Sequence, residues 1–366
     1  MKIAILGTRG IPNFHGGFEQ FAEFFSTFLA ENNHEVYVYC SSLHPYQKKM
    51  FGKVNLIHCK DPEDKIGTAG QFIYDLNCIL DSRKRKFDLI LQLGYTSSSI
   101  WHFLLPKSST IITNMDGLEW KRSKYSSKVK FFLKYAEKLA AINSDFLVAD
   151  SIGIQEYIQK KYNKKSKYIA YGAEVFNAPN ENILTEFQLK AYNYDLIIAR
   201  MEPENNIEVI IKGYIKSNTH RRLFIIGNHK GTKFGNYLYK NYSSYDNVIF
   251  HGGIYDLNKL NNLRFFSNIY FHGHSVGGTN PSLLEAMASN CLIIANRNIF
   301  NQSILGQDAL YFDNDSDIIN LSNSSKKEHK SFILNNIQKI HDLYSWKKIN
   351  QNYLDFIIEC QQKAKY

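Results

Sequence analysis

Short apolar runs alternate with helical stretches along almost the whole chain. In the first half, such runs lie at residues 2–6, 34–40, 87–93, 110–115, 145–150 and 167–172. In the second half they lie at residues 194–200, 222–227, 247–252, 268–273 and 291–296. Runs this short and apolar are typical of strands buried on both faces of a parallel sheet, and their alternation with helices indicates βαβ units. The sequence therefore predicts an α/β fold with two tandem, doubly wound, Rossmann-like domains.

A polar stretch after residue 178 interrupts this alternation and divides the chain. The predicted N-terminal domain covers residues 1–178, the linker covers 179–193, and the C-terminal domain covers 194–340. Residues 341–366 are predicted to form a C-terminal helix that packs back on the N-terminal domain. Because loops at the carboxyl ends of parallel strands form ligand sites, we expect the two domains to face a central cleft that binds the ligand.

The composition predicts a folded, cytoplasmic protein. The 366 residues include 44 Lys and Arg against 34 Asp and Glu, a net charge of +10. No apolar run approaches the roughly 18 residues of a membrane-spanning helix. The 5 cysteines are scattered without a C-x-x-C pair, which argues against a disulfide framework or thiol chemistry. His272 and His274 resemble a metal-binding pair but have no third ligand at suitable spacing, so no metal site is predicted.

The stretch GTRGIPNFHGGFE, residues 7–19, joins the first predicted strand to an aromatic helix. Gly16 and Gly17 stand directly before that helix, where the unpaired backbone N–H groups of a helix start suit a phosphate. A tight corner that needs glycine for its backbone angles explains the pair equally well. The spacing differs from the G-x-G-x-x-G dinucleotide fingerprint, which disfavours a nicotinamide cofactor.

A second glycine-rich stretch, GHSVGGTNPSLLEAMASN at residues 273–290, also leads from a predicted strand into a helix. Asn280 or Ser282 can cap that helix, and Pro281 suits its first turn. Glu285 lies one turn inside, where its carboxylate can accept two hydroxyl hydrogen bonds, as from a ribose diol. An ordinary capped helix with an acidic first turn is the alternative.

Several motifs together resemble one enzyme family. In chain order they are GTRGIPNFHGGFE, TNMDGLEWKRSKY, ADSIGI, YIAYGAE, ARMEPENN and HGHSVGGTNPSLLEAM. The chain resembles the retaining glycosyltransferases of family 4, and within them the bacterial rhamnosyltransferase branch. The likeness covers nearly the whole chain and implies the GT-B fold. Family members carry two glutamates eight residues apart; Glu285 matches the second, whereas Gly277 stands at the position of the first.

The resemblance also implies roles for individual residues. The implied catalytic residues are Arg200, Glu285 and Asp116. The implied donor-binding residues are Gly16, Gly17, Arg200, Asn206, Lys233, His274, Gly278, Thr279, Asn280, Pro281, Ser282 and Glu285. The implied acceptor-binding residues are Phe18, Glu19, Asp116, Glu119 and Trp120. Asn206 stands where relatives have a phosphate-binding lysine, and Lys233 is the candidate substitute for that cation.

The implied reaction is sugar transfer with retention of configuration. The expected donor is dTDP-L-rhamnose, and the expected acceptor is a saccharide or lipid-linked saccharide of a bacterial surface polysaccharide. No cofactor or metal is expected, because Arg200 and backbone amides would stabilise the departing diphosphate. The alternatives are a nucleotide-sugar epimerase on the same fold and a basic nucleic-acid-binding protein. Against the latter, the aromatic residues follow core periodicity and no nucleic-acid module is recognisable.

The lysine-rich stretch KRSKYSSKVKFFLKYAEKLA, residues 121–140, suggests peripheral contact with an anionic membrane. Val129, Phe132 and Leu133 can share one face of a helix, with lysines on either side. In the alternative, this apolar face packs into the N-terminal domain and only the lysines are exposed.

Overall fold

A computed structural model describes residues 1–364 of the chain, which divide into two compact units. The first unit comprises Met1–Trp120, Tyr125–Tyr171 and the described part of Trp346–Tyr366. The second unit comprises Lys121–Lys124 and Gly172–Ser345. Each unit is built around one sheet of mainly parallel strands with helices between them. The predicted α/β class with two parallel sheets is therefore confirmed.

The first unit has an eight-stranded sheet in the order β3-β4-β2-β1-β5-β6-β7-β8. The strands are β1 (Lys2–Leu6), β2 (Glu35–Ser41), β3 (Met50–Phe51), β4 (Val54–Cys59), β5 (Leu89–Leu93), β6 (Thr110–Asn114), β7 (Phe146–Ala149) and β8 (Lys167–Tyr168). Only the short β3 pairs antiparallel, with β4. Strand β1 lies at the centre, and the strand order reverses between β1 and β5. Ligands of open α/β sheets bind at such a reversal, outside the carboxyl ends of the strands.

All but the shortest helix of this unit bury an apolar face. They are α1 (Gly17–Glu31), α2 (Glu63–Ile66), α3 (Gly70–Ser82), α4 (Ser127–Asn143), α5 (Ile152–Tyr162) and the C-terminal helix Trp346–Lys363. In α1, Phe21 and Phe25 repeat at helical spacing and are buried. Their rings pack 4.7 and 5.2 Å from the ring of Tyr353 in the C-terminal helix. The last helix of the chain thus belongs to the core of the first unit.

The second unit has a six-stranded parallel sheet in the order β11-β10-β9-β12-β13-β14. Its strands are β9 (Tyr194–Ile198), β10 (Arg222–Ile226), β11 (Val248–Gly252), β12 (Ile269–His272), β13 (Leu292–Asn296) and β14 (Leu310–Phe312). Its helices are α6 (Ile207–Lys216), α7 (Lys233–Tyr242), α8 (Leu257–Phe265), α9 (Pro281–Ala288), α10 (Ile299–Leu305), α11 (Asp315–Leu321) and α12 (Lys330–Lys339). The strand order reverses between β9 and β12. The Arg200 loop, residues 199–206, follows β9, and the glycine-rich loop of residues 273–280 follows β12.

Residues 179–193, assigned to a linker from their polarity, contain a 3-10 helix at Glu181–Phe187. Leu184 is buried in the second unit, and the ring of Phe187 packs 5.9 Å from that of Phe224 in β10. Two apolar side chains within a polar sequence are enough to anchor this stretch to the sheet.

Helix α4 carries the lysine-rich stretch. Leu133 is buried, and the ring of Phe132 packs 5.6 Å from that of Phe72. Val129 is 39% exposed and Phe131 is 76% exposed. Much of the predicted apolar face therefore packs within the first unit, as in the alternative, while Phe131 projects from the surface. Within residues 1–364, no helix has both the length and the apolar character that crossing a bilayer requires.

Candidate functional site

A cavity of about 390 Å³ opens in the first unit where the strand order reverses. Its floor includes the turns that follow β1 and β5, at Gly7 and Gly94. Both glycines have positive φ, +86° and +81°. A Cβ on Gly7 would lie 2.2 Å from the carbonyl oxygen of Leu93, so only glycine allows the two strands to approach this closely.

Carboxylates dominate the polar lining of the cavity. They are Glu19, Asp61, Glu63, Asp75, Asp116 and Glu119. The lining includes one arginine, Arg9, whose Nη1 lies 2.6 Å from Oε2 of Glu63. Glu19 accepts a 2.9 Å hydrogen bond from the backbone N–H of Arg9. Ionised carboxylates only accept hydrogen bonds, so this lining suits a ligand rich in hydroxyl donors.

Asp75 is one of the buried acids of this lining. Its side chain accepts a 2.5 Å hydrogen bond from the hydroxyl of Ser97. Burial raises the pKa of Asp75 to about 6 against the effect of that hydrogen bond, and the nearby Asp61 carboxylate adds to the rise. The carboxyl group is therefore poised between its neutral and charged forms in mildly acidic solution.

Aromatic side chains form the apolar wall of the same cavity. They are Phe18, Phe72, Tyr74, Tyr95, Tyr125 and Phe132. The hydroxyl of Tyr74 donates a 2.8 Å hydrogen bond to the carbonyl of Thr8, which fixes this ring beside the turn after β1. Apolar walls with convergent polar groups are typical of small-molecule sites. Of the predicted acceptor-binding residues, the cavity brings together Phe18, Glu19, Asp116 and Glu119.

Trp120, the remaining predicted acceptor residue, is held by a buried acid that the sequence analysis missed. Glu137 of α4 is 2% exposed and accepts a 2.9 Å hydrogen bond from the indole N–H of Trp120. Tyr157 and Lys161 also donate to Glu137, at 2.7 and 2.9 Å. Because these donors come from different parts of the chain, Glu137 fixes the position of Trp120 against α5.

Gly16 and Gly17 lie at the start of α1, as predicted. The backbone N–H groups of His15 and Gly16 both donate to Oδ1 of Asn13, at 3.0 and 3.1 Å. The amide of Gly16 is thus engaged within its own turn. Gly17 begins the helix, where the backbone N–H groups have no partner within the helix.

In the second unit, helix α9 begins as the sequence predicts. Oδ1 of Asn280 accepts a 2.9 Å hydrogen bond from the N–H of Ser282, and Pro281 occupies the first turn. Ser282 is not the cap; its hydroxyl forms a 2.7 Å hydrogen bond with the hydroxyl of Tyr270. Thr279, just before the cap, is buried.

Glu285 is paired with a buried arginine that no local sequence motif identifies. Arg264 of α8 is 1% exposed, and its Nη2 lies 2.5 Å from Oε2 of Glu285. A second guanidinium nitrogen donates to Oδ1 of Asn261 at 2.9 Å. The Glu285 side chain itself is 19% exposed. From its buried position, Arg264 thus holds one carboxylate oxygen of Glu285 and fixes the orientation of that carboxylate.

The glycine-rich loop holds Gly277, which replaces the first glutamate of the family pair, and Gly278. Gly277 has φ +134°, a backbone conformation that residues other than glycine rarely adopt. A Cβ at this position would meet no other atom within 4 Å. The backbone of this loop is therefore built for glycine at position 277.

The Arg200 loop is tied to the glycine-rich loop. The side-chain amide of Asn206 donates a 2.9 Å hydrogen bond to the carbonyl of Gly273. The neighbouring amide of Asn205 donates to the carbonyl of Arg200 at 2.7 Å. The Arg200 side chain is 65% exposed. Asn206 thus makes a structural contact and provides no positive charge at the position where the family resemblance places a phosphate-binding lysine.

Lys233 is the first residue of α7 and is exposed. The preceding Thr232 caps this helix and donates a 3.2 Å hydrogen bond to the carbonyl of Met201. The start of α7 is therefore attached to Met201, the residue that follows Arg200.

His272 and His274 stack with ring centroids 4.4 Å apart. Burial, followed by the charges of Arg200 and Arg122, lowers the pKa of His274 to about 3. Burial also lowers the pKa of His272. Both imidazoles are therefore neutral at physiological pH. Across residues 1–364, no group of three His, Cys, Asp or Glu side chains is placed to hold a metal ion.

Family comparisons divide the chain as the two units do. Residues 183–327 match the family described as Glycosyl transferases group 1. The second half of the chain carries a glycosyltransferase group 1 domain. Residues 1–174 match a family described as Domain of unknown function (DUF1972). No curated protein matches the chain.

Solved structures resemble the chain over nearly its full length. A sucrose-phosphate synthase from Thermosynechococcus elongatus matches with a TM-score of 0.79 at 15% identity, covering 98% of both chains. HepE from Anabaena, solved in complex with UDP-glucose, matches at 0.73 and 11% identity, covering 98% of this chain and 100% of HepE. WaaG, a glycosyltransferase involved in lipopolysaccharide biosynthesis, matches at 0.71 and 14% identity, with coverage of 98% and 99%. The expected GT-B fold is confirmed.

The raised pKa of Asp75 predicts a pH-dependent effect of Asp75→Asn on stability. The folded state holds the proton more tightly than the unfolded chain, whose aspartates titrate near pH 4. Wild-type stability is therefore fully retained below about pH 4 and declines as the pH rises to about 6. Asn keeps an acceptor for Ser97 but cannot ionise. The difference in free energy of unfolding, measured in urea from pH 4 to 7, should favour the variant increasingly, by on the order of 3 kcal/mol. A pH-independent difference would contradict the assignment.

Proposed function

We propose that the chain transfers a sugar from a nucleotide-sugar donor to a saccharide or lipid-linked saccharide acceptor. The observation that carries this proposal is the start of α9 in the group 1 domain. Here Asn280 caps the helix, and Arg264 holds Glu285 one turn further on. The oxygen of Glu285 that Arg264 does not hold suits the ribose hydroxyls of a nucleotide, and the helix start suits its phosphates. The crystal structure of HepE contains UDP-glucose, a donor of this class.

In this proposal the acceptor sugar occupies the cavity of the first unit. Carboxylates such as Asp116 and Glu119 accept its hydroxyl hydrogen bonds, and Phe18 and Phe72 cover its apolar faces. The acidic lining favours a neutral acceptor over a phosphorylated one, because like charges repel in a partly enclosed cavity.

The proposed reaction retains the configuration of the sugar. The acceptor oxygen forms a bond to the anomeric carbon on the face from which the diphosphate leaves. The carbon–oxygen bond to the phosphate breaks, and a phosphate oxygen takes the acceptor proton. Arg200 stabilises the departing diphosphate, as a guanidinium remains charged at every working pH. His274, neutral and buried beside Arg200, can exchange only a neutral hydrogen bond with the donor. The reaction as proposed needs no cofactor or metal.

For the donor we propose dTDP-L-rhamnose. The support is the motif resemblance to rhamnosyltransferases together with Gly277, which removes a carboxylate that could bind sugar hydroxyls. A 6-deoxy sugar offers fewer hydroxyls to such a carboxylate.

Substitutions should separate the roles of Arg200 and Glu285. In Arg200→Ala, kcat should fall roughly 100- to 1000-fold, because the charge that develops on the leaving diphosphate loses its partner. In Glu285→Gln, nucleotide affinity should weaken while kcat changes less. Steady-state kinetics and calorimetric titration with the nucleotide measure these effects. Arg222→Ala is the matched control, since Arg222 is an exposed arginine at the start of β10. Near-normal turnover in Arg200→Ala would contradict its role.

A donor comparison tests the reaction and the sugar together. The purified chain is incubated with dTDP-L-rhamnose, UDP-glucose or UDP-GlcNAc, with and without saccharide acceptors. We expect transfer from dTDP-L-rhamnose only when an acceptor is present. If a UDP-sugar supports transfer to the acceptor and dTDP-L-rhamnose does not, the proposed donor is wrong, but the proposed transferase function stands. Interconversion of a donor without acceptor would indicate the epimerase alternative.

We further propose that the first unit contacts an anionic membrane surface, where a lipid-linked acceptor resides. Lys128, Lys134 and Lys138 are exposed on α4, close to the projecting Phe131. Basic residues near an anionic leaflet contribute about 1 kcal/mol each before screening by salt. Co-sedimentation with phosphatidylglycerol vesicles should therefore weaken with salt and with Lys→Ser substitution at these three positions. Equal binding to neutral vesicles would count against the contact.

A further inference from the structure

Three basic side chains surround one buried carboxylate in the second unit. Glu202 is 8% exposed. Its Oε2 lies 3.2 Å from Nη1 of Arg122 and 4.0 Å from Nη2 of Arg200. Its Oε1 lies 3.2 Å from Nζ of Lys124. Burial raises the pKa of Glu202, but the three cations outweigh it and hold the pKa below its usual value. Three positive charges around one ionised acid leave an excess of positive charge.

Hydrogen bonds connect this cluster to the Arg200 loop and to the glycine-rich loop. Ser123, between the two new cations, donates a hydrogen bond to Oε2 of Glu204. The carbonyl of Glu204 accepts hydrogen bonds from the N–H and the hydroxyl of Ser275, at 3.0 and 2.8 Å. Ser275 belongs to the glycine-rich loop. Residues 121–124 are thus fixed to the Arg200 loop, which is fixed in turn to the glycine-rich loop.

Arg122 and Arg200 both influence the protonation of His274 in the glycine-rich loop. After burial, the charges of these two arginines are the main causes that lower the pKa of His274. The Arg122 side chain is 18% exposed, against 65% for Arg200. Glu202 therefore holds Arg122 in a defined position, which reduces the conformational entropy that binding a ligand would cost.

We propose that Arg122 is the second phosphate-binding cation of the donor site, beside Arg200. This inference rests on the proposed nucleotide-sugar donor. A diphosphate carries at least two negative charges, and paired guanidinium groups match its oxygens with charge-assisted hydrogen bonds. Asn206 supplies no charge because it is neutral, and its amide holds Gly273. In this proposal Arg122, which is distant in the sequence, supplies the positive charge that is missing at position 206.

Calorimetric titration with UDP and dTDP, and with uridine and thymidine, tests the assignment. Arg122→Ala should weaken the affinity for the tighter diphosphate roughly 10- to 100-fold, the range expected for a hydrogen bond to a charged group. The affinity for the corresponding nucleoside should not change. Arg222→Ala, which removes an exposed arginine at the start of β10, is the matched control and should bind as the wild type does.

Two further variants distinguish a phosphate contact from a structural role. Arg122→Lys should recover part of the diphosphate affinity. Glu202→Gln should increase the diphosphate affinity, because Gln keeps an oxygen that can hold Arg122 but has no charge that competes with the diphosphate. If the cluster were merely structural, Glu202→Gln would decrease that affinity or leave it unchanged. Thermal melting of each variant checks the fold.

The outcomes separate this inference from the function on which it rests. Wild-type protein that binds neither diphosphate would refute both. Wild-type binding with an unchanged Arg122→Ala affinity would refute only the role of Arg122. A larger loss in Lys233→Ala than in Arg122→Ala would assign the second cation to Lys233.

Discussion

Asp195 has no exposed surface and joins the two inner strands of the second sheet. Its Oδ1 accepts a 3.0 Å hydrogen bond from the backbone N–H of Ile269, the first residue of β12. Arg221 and Tyr214 donate to Oδ2 at 3.0 and 2.8 Å. These are the strands between which the chain order reverses. Because parallel strands end at the same edge, fixing β9 against β12 also fixes the Arg200 loop against the glycine-rich loop. The candidate donor site depends on this buried charge and its partners.

The two units share one architecture but differ in the charge of their candidate sites. In the first unit, the turns after the central strands open into a cavity lined mainly by acids and aromatic rings. In the second, Arg200, which follows β9, surrounds Glu202 together with Arg122 and Lys124 of residues 121–124. A carboxylate lining suits hydroxyl groups, and a cationic one suits phosphate. In both units the fold places the candidate site at the carboxyl edge of the sheet, whereas the side chains around that edge determine which ligand groups it can bind.

Patterns that are local in the sequence predicted much of the fold. Apolar runs predicted the central strands, and the Asn280-Pro281 pair predicted the start of α9. Strand β4 was missed because polar residues interrupt VNLIHC, and β14 because it has only three residues. The buried charges were missed for a different reason. Glu137 lies in a lysine-rich helix that reads as a solvated surface, and Arg264 has its partner 21 positions away. Arg122 is separated from Glu202 by 80 positions. Only the folded chain identifies such pairs.

The pairing of Arg264 with Glu285 couples the evolution of the site to the integrity of the core. A fully buried guanidinium without its counter-charge is costly, so loss of the carboxylate would destabilise the domain as well as alter its ligand contacts. Change at position 285 would therefore have to be accompanied by change at position 264. Gly277, by contrast, borders open space and has no such partner among the described residues. Divergence in ligand preference can thus proceed through the glycine-rich loop while the Glu285 end of the site stays fixed.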